Sequence, residues 1–92
     1  MLTATQATDP LLNEREATHG DYGVNAGISQ SLKDFIRATH NYKNLSDDKK
    51  ESLDLIATKI ARILSGDADE PEHWKDIGGY ARLAERGCSQ PK

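Results

Sequence analysis

The segment from Ser46 to Gly66 constrains this chain more than any other, because it carries the most regular helical pattern in the sequence. Its apolar residues recur at steps of three and four, which places them on one face of an α-helix. They are Leu53, Ile56, Ala57, Ile60, Ile63 and Leu64. Ser46 is predicted to cap the first turn, and Gly66 is predicted to end the helix in a left-handed conformation. Such a face needs partners, so we expect the other segments to pack around this helix.

Three further segments show helical patterns, which makes the predicted fold all-α. A short helix is predicted at about residues 10–18, where Asp9-Pro10 supplies a cap and a first-turn proline. Longer helices are predicted at about 25–42 and 71–86, with the central one at 46–65. The prediction is a compact bundle of three main helices and a short N-terminal one, forming a single domain over residues 9–87. Residues 1–8 and 88–92 are predicted to be a flexible arm and a flexible tail.

The flanking helices are predicted to pack their own apolar residues against the central helix. These are Ile28, Leu32, Phe35 and Ile36 in the second helix and Trp74, Ile77, Ala81 and Ala84 in the last, with His73 and Tyr80 at one edge. Gly78-Gly79 lies in the middle of the last helix, where each glycine costs roughly 0.5 to 1 kcal/mol relative to alanine. Close packing of another helix is the predicted compensation, with a ligand contact or a bend as the alternatives.

Length and charge limit the class of protein. A chain of 92 residues buries only about 60 to 65% of its unfolded surface, so its core is marginal and we expect a homo-oligomer such as a dimer. The net charge of −3, without a run of Lys or Arg, argues against bulk nucleic-acid binding. A single cysteine, Cys88, excludes an internal disulfide. No apolar run reaches the roughly 20 residues of a membrane span and no signal-peptide pattern is present, so a cytoplasmic location is predicted.

The segment at residues 18–23, THGDYG, is a candidate ligand loop. It places a carboxylate and a phenol between two glycines, directly after an imidazole. Because glycines permit positive φ angles and close backbone approach, His19, Asp21 and Tyr22 are candidates for holding a ligand. The alternative is a turn that ends a helix and uses its His and Asp to bond local backbone groups.

Glu51 and Asp54 lie three residues apart on one flank of the central helix. Two carboxylates at this spacing can share a hard cation such as Mg²⁺, which prefers oxygen ligands and keeps several waters. The same spacing also arises on a solvated helix face, because the chain holds 15 acidic residues.

His73 and Asp76 repeat this spacing on the last helix, and Tyr80 follows four residues later. If the last helix lies antiparallel to the central one, the two sets of side chains meet across a groove. Alternatively, His73 lies at a helix interface and Asp76 pairs with Lys59 or Arg82, since surface ion pairs are commoner than functional sites.

Nucleophilic enzymes and Walker-type nucleotide sites are disfavoured by the sequence. Cys88 has no neighbouring His in sequence, and no serine lies in a Gly-x-Ser-x-Gly turn. No glycine loop has the spacing and lysine of a P-loop.

Three segments taken together resemble a family of small phage and prophage proteins of unknown function. They are REATHGDY at residues 15–22, LDLIATKIARILSG at 53–66 and HWKDIGGYA at 73–81. The resemblance covers most of residues 15–84. It implies a phage or prophage origin and a helical domain, and it supplies no activity.

The layout is also distantly similar to the all-α NTP pyrophosphatases of the MazG type, in which paired carboxylates on antiparallel helices hold magnesium and a nucleoside triphosphate. The residues that this resemblance implies are Glu51, Asp54 and Asp76 as magnesium ligands, Lys59 as a phosphate contact, and His19 or His73 to position water. His73 stands where the family pattern has a carboxylate, so one ligand is missing unless Asp21 or a second subunit completes the site.

The predicted function is binding without catalysis and without a cofactor. In this prediction a small phage accessory protein binds a nucleotide-like ligand or a host protein, for example to inhibit host machinery. The candidate ligand-binding residues are His19, Asp21, Tyr22, Lys59, His73 and Tyr80. Two alternatives stay open: a magnesium-dependent nucleoside triphosphate pyrophosphohydrolase, and a structural oligomerisation module.

Overall fold

The computed structural model describes residues 9–88, which form four α-helices and one short 3-10 turn and contain no strand. The helices are α1 (Pro10–His19), α2 (Tyr22–Ala38), α3 (Asp47–Ser65) and α4 (Pro71–Arg86), and the 3-10 turn is Tyr42–Asn44. The predicted all-α fold is therefore confirmed. None of these four helices combines the length and the hydropathy needed to cross a membrane. The arm predicted at residues 1–8 and the tail beyond Cys88 lie outside the described residues.

Two aspartates fix the starts of α1 and α2. The Asp9 carboxylate accepts hydrogen bonds from two first-turn N–H groups, at 3.0 and 3.2 Å. Asp21 accepts from the N–H of Val24 at 3.0 Å. Each carboxylate satisfies backbone donors that have no partner within the helix. The cap formed by Asp21 explains why α2 begins at Tyr22 and not at the predicted residue 25.

The link between α2 and α3 also differs from the prediction. α2 ends at Ala38, because Thr39 has an extended backbone with φ −72° and ψ 152°. Ser46 is the N-cap residue of α3, but its side chain accepts no hydrogen bond from a backbone N–H of the first turn; its hydroxyl donates to the Asp48 carboxylate instead. That bond lowers the pKa of Asp48. The predicted position of the cap is therefore confirmed, but the predicted bond between the Ser46 hydroxyl and first-turn N–H groups was wrong.

α3 lies in the middle of the fold, with α2 on one side and α4 on the other, while α2 and α4 scarcely contact each other. The end of α2 meets the start of α3, where Arg37 pairs with Asp54 at 3.1 Å. At the other end, Asn25 and Ser65 both donate to the carbonyl of His19. α2 and α3 are therefore antiparallel, as is usual for helices joined by a short link.

α4 also runs antiparallel to α3. Lys59 pairs with Asp76 at 2.8 Å, and the hydroxyl of Ser52 donates to the carbonyl of Tyr80 at 3.1 Å. Partners early in α3 thus meet residues late in α4. The three long helices form one layer, and α1 packs against both α3 and α2.

The interior of this layer is small. Among the described residues, the buried hydrophobic ones are Ala57 and Ala61 of α3. The largest fully buried side chain is His73 of α4, with an exposed fraction of 2%. Trp74 was predicted to face the core, but 55% of it is exposed. A helix that buries His73 turns the next residue outward by about 100°.

α2 departs from the prediction in the same way. Its buried residue is Ser29, whereas Phe35 is 74% exposed. The two positions differ by about 240° around the helix, so they cannot face α3 together. The prediction that Phe35 packs against the central helix was wrong.

The glycine pair in α4 is not explained by packing within the chain. A Cβ atom built on Gly78 or Gly79 would have no described atom within 4 Å apart from its own helix and neighbours. The predicted close approach of another helix was therefore wrong for the described part of this chain.

Candidate functional site

The loop after α1 crosses the end of α3 at Gly20 and Gly66. Gly20 has φ 81°, the one positive φ within residues 9–88, and a Cβ there would overlap the carbonyl oxygen of Ser65. A Cβ on Gly66 would overlap the backbone of Thr18 and His19. Both positions require glycine because the two backbones approach so closely. Gly66 itself has φ −130°, so the prediction that it ends α3 in a left-handed conformation was wrong.

The backbone carbonyl of His19, at the end of α1, accepts hydrogen bonds from side chains of α2 and α3. It accepts a hydrogen bond from the hydroxyl of Ser65 at 2.7 Å and from the side-chain amide of Asn25 at 3.1 Å. Ser65 ends α3 and Asn25 lies in the first turn of α2. The backbone of His19 is therefore held by contacts from both neighbouring helices.

The backbone carbonyl of Thr18 connects α4 to the end of α1. It accepts from the backbone N–H of Asp67 at 3.2 Å and lies 3.0 Å from Nε2 of His73. Since a carbonyl can only accept, Nε2 of His73 carries the proton. The ring of His73 lies behind that of His19, with 5.2 Å between the ring centroids.

A groove of about 600 Å³ opens beside this crossing, between α1, α2 and α3. Sites for small molecules range from roughly 300 to 1,000 Å³, so the groove has a suitable size. Three of the predicted ligand residues, His19, Asp21 and Tyr22, line it together. Tyr22 is 85% exposed, whereas the carboxylate of Asp21 is engaged in capping α2.

Cations from three helices line the same groove: Arg15 of α1, Lys33 of α2 and Arg62 of α3. In the described part of the chain, none of them forms an ion pair, within 4.0 Å, with a carboxylate. Two carboxylates, Glu16 and Asp21, also line the groove. Three cations against two carboxylates leave a local excess of positive charge in a chain whose net charge is −3.

The environment of His19 favours the neutral form of its imidazole. Burial lowers the pKa of its imidazole from the ordinary value of 6.5, and the positive charge of Arg62 is the next cause. Lys59 and Arg15 act in the same direction. A neutral imidazole at the groove can donate or accept a hydrogen bond.

The other three predicted ligand residues do not line this groove. Lys59 forms an ion pair with Asp76, as the structural alternative predicted. This ion pair lowers the pKa of the Asp76 carboxyl. Tyr80 is partly buried and lines a separate shallow surface on α4. His73 is buried behind His19, where it supports that ring and is not open to a ligand.

The carboxylates proposed as magnesium ligands do not converge. Asp54 pairs with Arg37 on the α2 side of α3, and Asp76 pairs with Lys59 on the α4 side. Oδ1 of Asp54 is buried and has no described hydrogen-bond partner, while Glu51 is exposed. Residues 9–88 contain no group of three or more His, Cys, Asp or Glu side chains that could hold a metal ion. The residues therefore do not fit a magnesium site within one chain, and the hydrolase alternative stays a prediction.

The three cations of the groove were not among the predicted ligand residues, because each comes from a different helix. One signal was present: each of the three cations lies four residues from another groove residue on the same helix face. These pairs are Arg15 with His19, Lys33 with Ser29, and Arg62 with Thr58.

Comparisons of this chain with protein-family models, with curated proteins and with solved structures found no match. The site is therefore interpreted from its own geometry and charge.

Proposed function

We propose that this protein is a binding module for a small anionic ligand of nucleotide-like chemistry, held in the groove between α1, α2 and α3. One observation carries the proposal: Arg15, Lys33 and Arg62 line a groove of about 600 Å³, and none is paired with a carboxylate among residues 9–88. Cations gathered without an acidic partner favour an external anion, since bringing them together is otherwise unfavourable.

Phosphate is the anion that these side chains suit. A guanidinium group can give two parallel hydrogen bonds to phosphate oxygens, and a lysine adds a point charge. Arg15 and Arg62 approach the groove from α1 and α3, and Lys33 from α2. A phosphorylated ligand in the groove would therefore have a cation available from each of the three helices.

An aromatic base is the second part of the proposed ligand. Tyr22 is 85% exposed at the groove, so its ring face is free to stack. Stacking of a base on an aromatic side chain is worth about 1–3 kcal/mol. Asn25, Gln30 and Thr58 also line the groove. The Asn25 amide and the Thr58 hydroxyl already donate to backbone carbonyls, so their oxygens remain as acceptors for a base edge, and Gln30 adds a further amide.

This proposal keeps the small-molecule form of the predicted function. A concave groove with convergent polar groups is typical of a small-ligand site, whereas protein interfaces are larger and flatter. A phage origin, a host protein as partner and inhibition of host machinery stay predictions from the resemblance of residues 15–84.

The proposal is tested by thermal shift and calorimetry with nucleoside mono-, di- and triphosphates, the free nucleosides and inorganic phosphate. A ligand at a hundred times its Kd adds about 2.7 kcal/mol to the free energy of unfolding. We expect phosphorylated nucleosides to raise the Tm of the full chain and free nucleosides to have little effect.

Two substitutions localise the binding. Arg62→Gln should weaken it roughly 10- to 100-fold, because a charge-assisted hydrogen bond contributes about 1.5–3 kcal/mol. Arg82→Gln is the matched control, since Arg82 is exposed on α4 and lies outside the groove. Equal losses of affinity in the two variants, or no change in Tm with any phosphorylated nucleoside, would contradict the proposal.

A further inference from the structure

The layer of α2, α3 and α4 has two faces, and one of them is apolar and uncovered by the described chain. Ala57 and Ala61 are small, and every larger apolar residue of α3 remains at least partly exposed. Leu53, Ile56 and Ile60 are half-buried, and Leu64 is 64% exposed. The apolar stripe from which α3 was predicted is therefore only partly covered by the rest of residues 9–88.

The position of this stripe follows from the contacts of α3. At about 100° per residue, Leu53, Ile56, Ile60 and Leu64 lie roughly 40–120° around the helix from Ser52. Ser52 faces α4, and Asp54, at about 200°, faces α2. The stripe therefore lies between the two neighbours.

The groove lies on the opposite side of the same layer. Thr58 and Arg62, which line it, fall at about 240–280° on this scale. One face of the layer thus carries the groove and α1, and the other carries the apolar stripe.

α2 extends the apolar face on one side of α3. Ala26, Gln30 and Lys33 of α2 line the groove, whereas Val24, Ile28 and Leu32 line a separate shallow depression. Phe35 follows the same helical step and is 74% exposed. The apolar residues of α2 therefore lie on the side away from the groove.

α4 extends the apolar face on the other side. Lys75, Asp76 and Leu83 line a surface of their own. Trp74 lies about 100° from the buried His73, in the direction opposite to Asp76 and Leu83. The indole is 55% exposed, and its N–H donates to the carbonyl of Ala68 at 2.7 Å. This bond holds the ring in place at the edge of the apolar face.

We propose that a second copy of this chain covers this apolar face, so that two three-helix layers pack against each other. Helical domains are stable when two layers enclose one hydrophobic core, and on this face residues 9–88 provide one layer. The inference is independent of the proposed function, because the groove lies on the other face and stays open in such a dimer.

The size and charge of the face suit self-association. Its stripes on α2 and α3 run from residue 24 to 35 and from 53 to 64, eleven steps or about 17 Å each, and three helices 8–10 Å apart span about 28 Å. This gives on the order of 500 Å² in projection, and more in accessible surface, close to the roughly 800 Å² per partner of a standard interface. The α2 and α3 stripes carry no charged side chain, so these stripes can pack against a second copy without burying a charge.

The first test is the mass of the full chain in solution, by light scattering or sedimentation. The expected mass is twice 10.1 kDa. Leu64→Lys and Phe35→Lys should each shift the mass toward that of the monomer while the circular dichroism stays helical, because both side chains are already exposed within one chain. Leu83→Lys is the matched control, since Leu83 is 55% exposed on the other side of α4 and should leave the dimer intact.

The single tryptophan provides a second readout. Trp74 should be shielded in the dimer, so its emission should shift to longer wavelength on dilution of the wild type and in the Leu64→Lys variant. A wild type that stays monomeric over the whole concentration range, or equal dissociation by Leu83→Lys and Leu64→Lys, would overturn the proposal.

Discussion

Nε2 of His73 lies 3.0 Å from the carbonyl oxygen of Thr18 and connects α4 to the end of α1. With an exposed fraction of 2%, His73 is the largest side chain that the described fold encloses completely. An imidazole thus takes the place that a large apolar residue usually holds in a core. The ring of His73 also lies 5.2 Å from that of His19, which lines the groove. The buried His73 therefore supports both the fold and the wall of the groove.

His73→Ala should be strongly destabilising. It removes a buried ring and leaves the carbonyl of Thr18 with one bond fewer, which together cost about 3 kcal/mol. For a domain of this size, the Tm should fall by more than about 10 °C in a thermal melt. His40→Ala is the control, because His40 is exposed and an exposed substitution changes stability by about 0.5 kcal/mol or less. Similar melting of the two variants would show that the buried bond is not important.

Two glycine substitutions should change stability in opposite directions. Gly20→Ala should lower the free energy of unfolding by about 2–3 kcal/mol, because φ is 81° and the new Cβ would overlap the carbonyl of Ser65. Gly79→Ala should raise it by about 0.5–1 kcal/mol, since Gly79 lies inside α4 and a Cβ meets no described atom beyond its own helix there. Chemical denaturation measures both. A neutral Gly20→Ala would mean that the crossing of the two backbones is looser than the structure shows.

Stability should rise with pH as His19 loses its proton. The folded state lowers the pKa of His19 below 6.5, mainly through burial. Between that lowered pKa and 6.5, the unfolded chain binds more protons than the folded chain, so stability increases as pH rises. The contribution is fully present above about 6.5 and is lost as pH falls through this window.

Denaturation curves across this pH range measure the effect. His19→Gln should reduce the pH dependence of the unfolding free energy, whereas His40→Gln should leave it as in the wild type. A pH dependence that survives His19→Gln unchanged would assign it to another group.

Binding of a phosphorylated nucleoside should persist without magnesium. Asp54 and Asp76 are engaged by Arg37 and Lys59, and no metal-holding group of side chains is found in residues 9–88. The thermal shift should therefore survive an excess of chelator. A shift that requires magnesium, together with turnover that Glu51→Gln and Asp54→Asn abolish, would favour the hydrolase alternative instead.

The sequence was most informative where the signal is local. Asp9-Pro10 and Pro71 predicted the starts of α1 and α4, and the spacing of Leu53, Ile56 and Ile60 predicted α3. Caps, first-turn prolines and apolar periodicity act over one or two turns, so they can be identified without knowing the neighbours. His19 and Tyr22, which line the groove, were predicted as ligand residues for the same reason, because the neighbouring glycines are a local signal.

Which apolar residues face the core depended on the rotation of each helix about its axis. A sequence pattern identifies an apolar side, but a rotation of one residue exchanges Trp74 for His73 at the buried position. In the folded chain, His73 takes the buried position, where its ring bonds the carbonyl of Thr18. That carbonyl is 55 residues away in sequence, so no local pattern indicates the contact.

The sequence by itself determined the helices and their approximate lengths, because these follow from local hydrogen bonding and apolar periodicity. Only the tertiary structure decided which charges share a groove, since Arg15, Lys33 and Arg62 come from three different helices. It also decided that Asp54 and Asp76 lie on different sides of α3, each neutralised by its own cation. Distances between residues far apart in sequence are set by helix packing, and no local pattern in the chain encodes them.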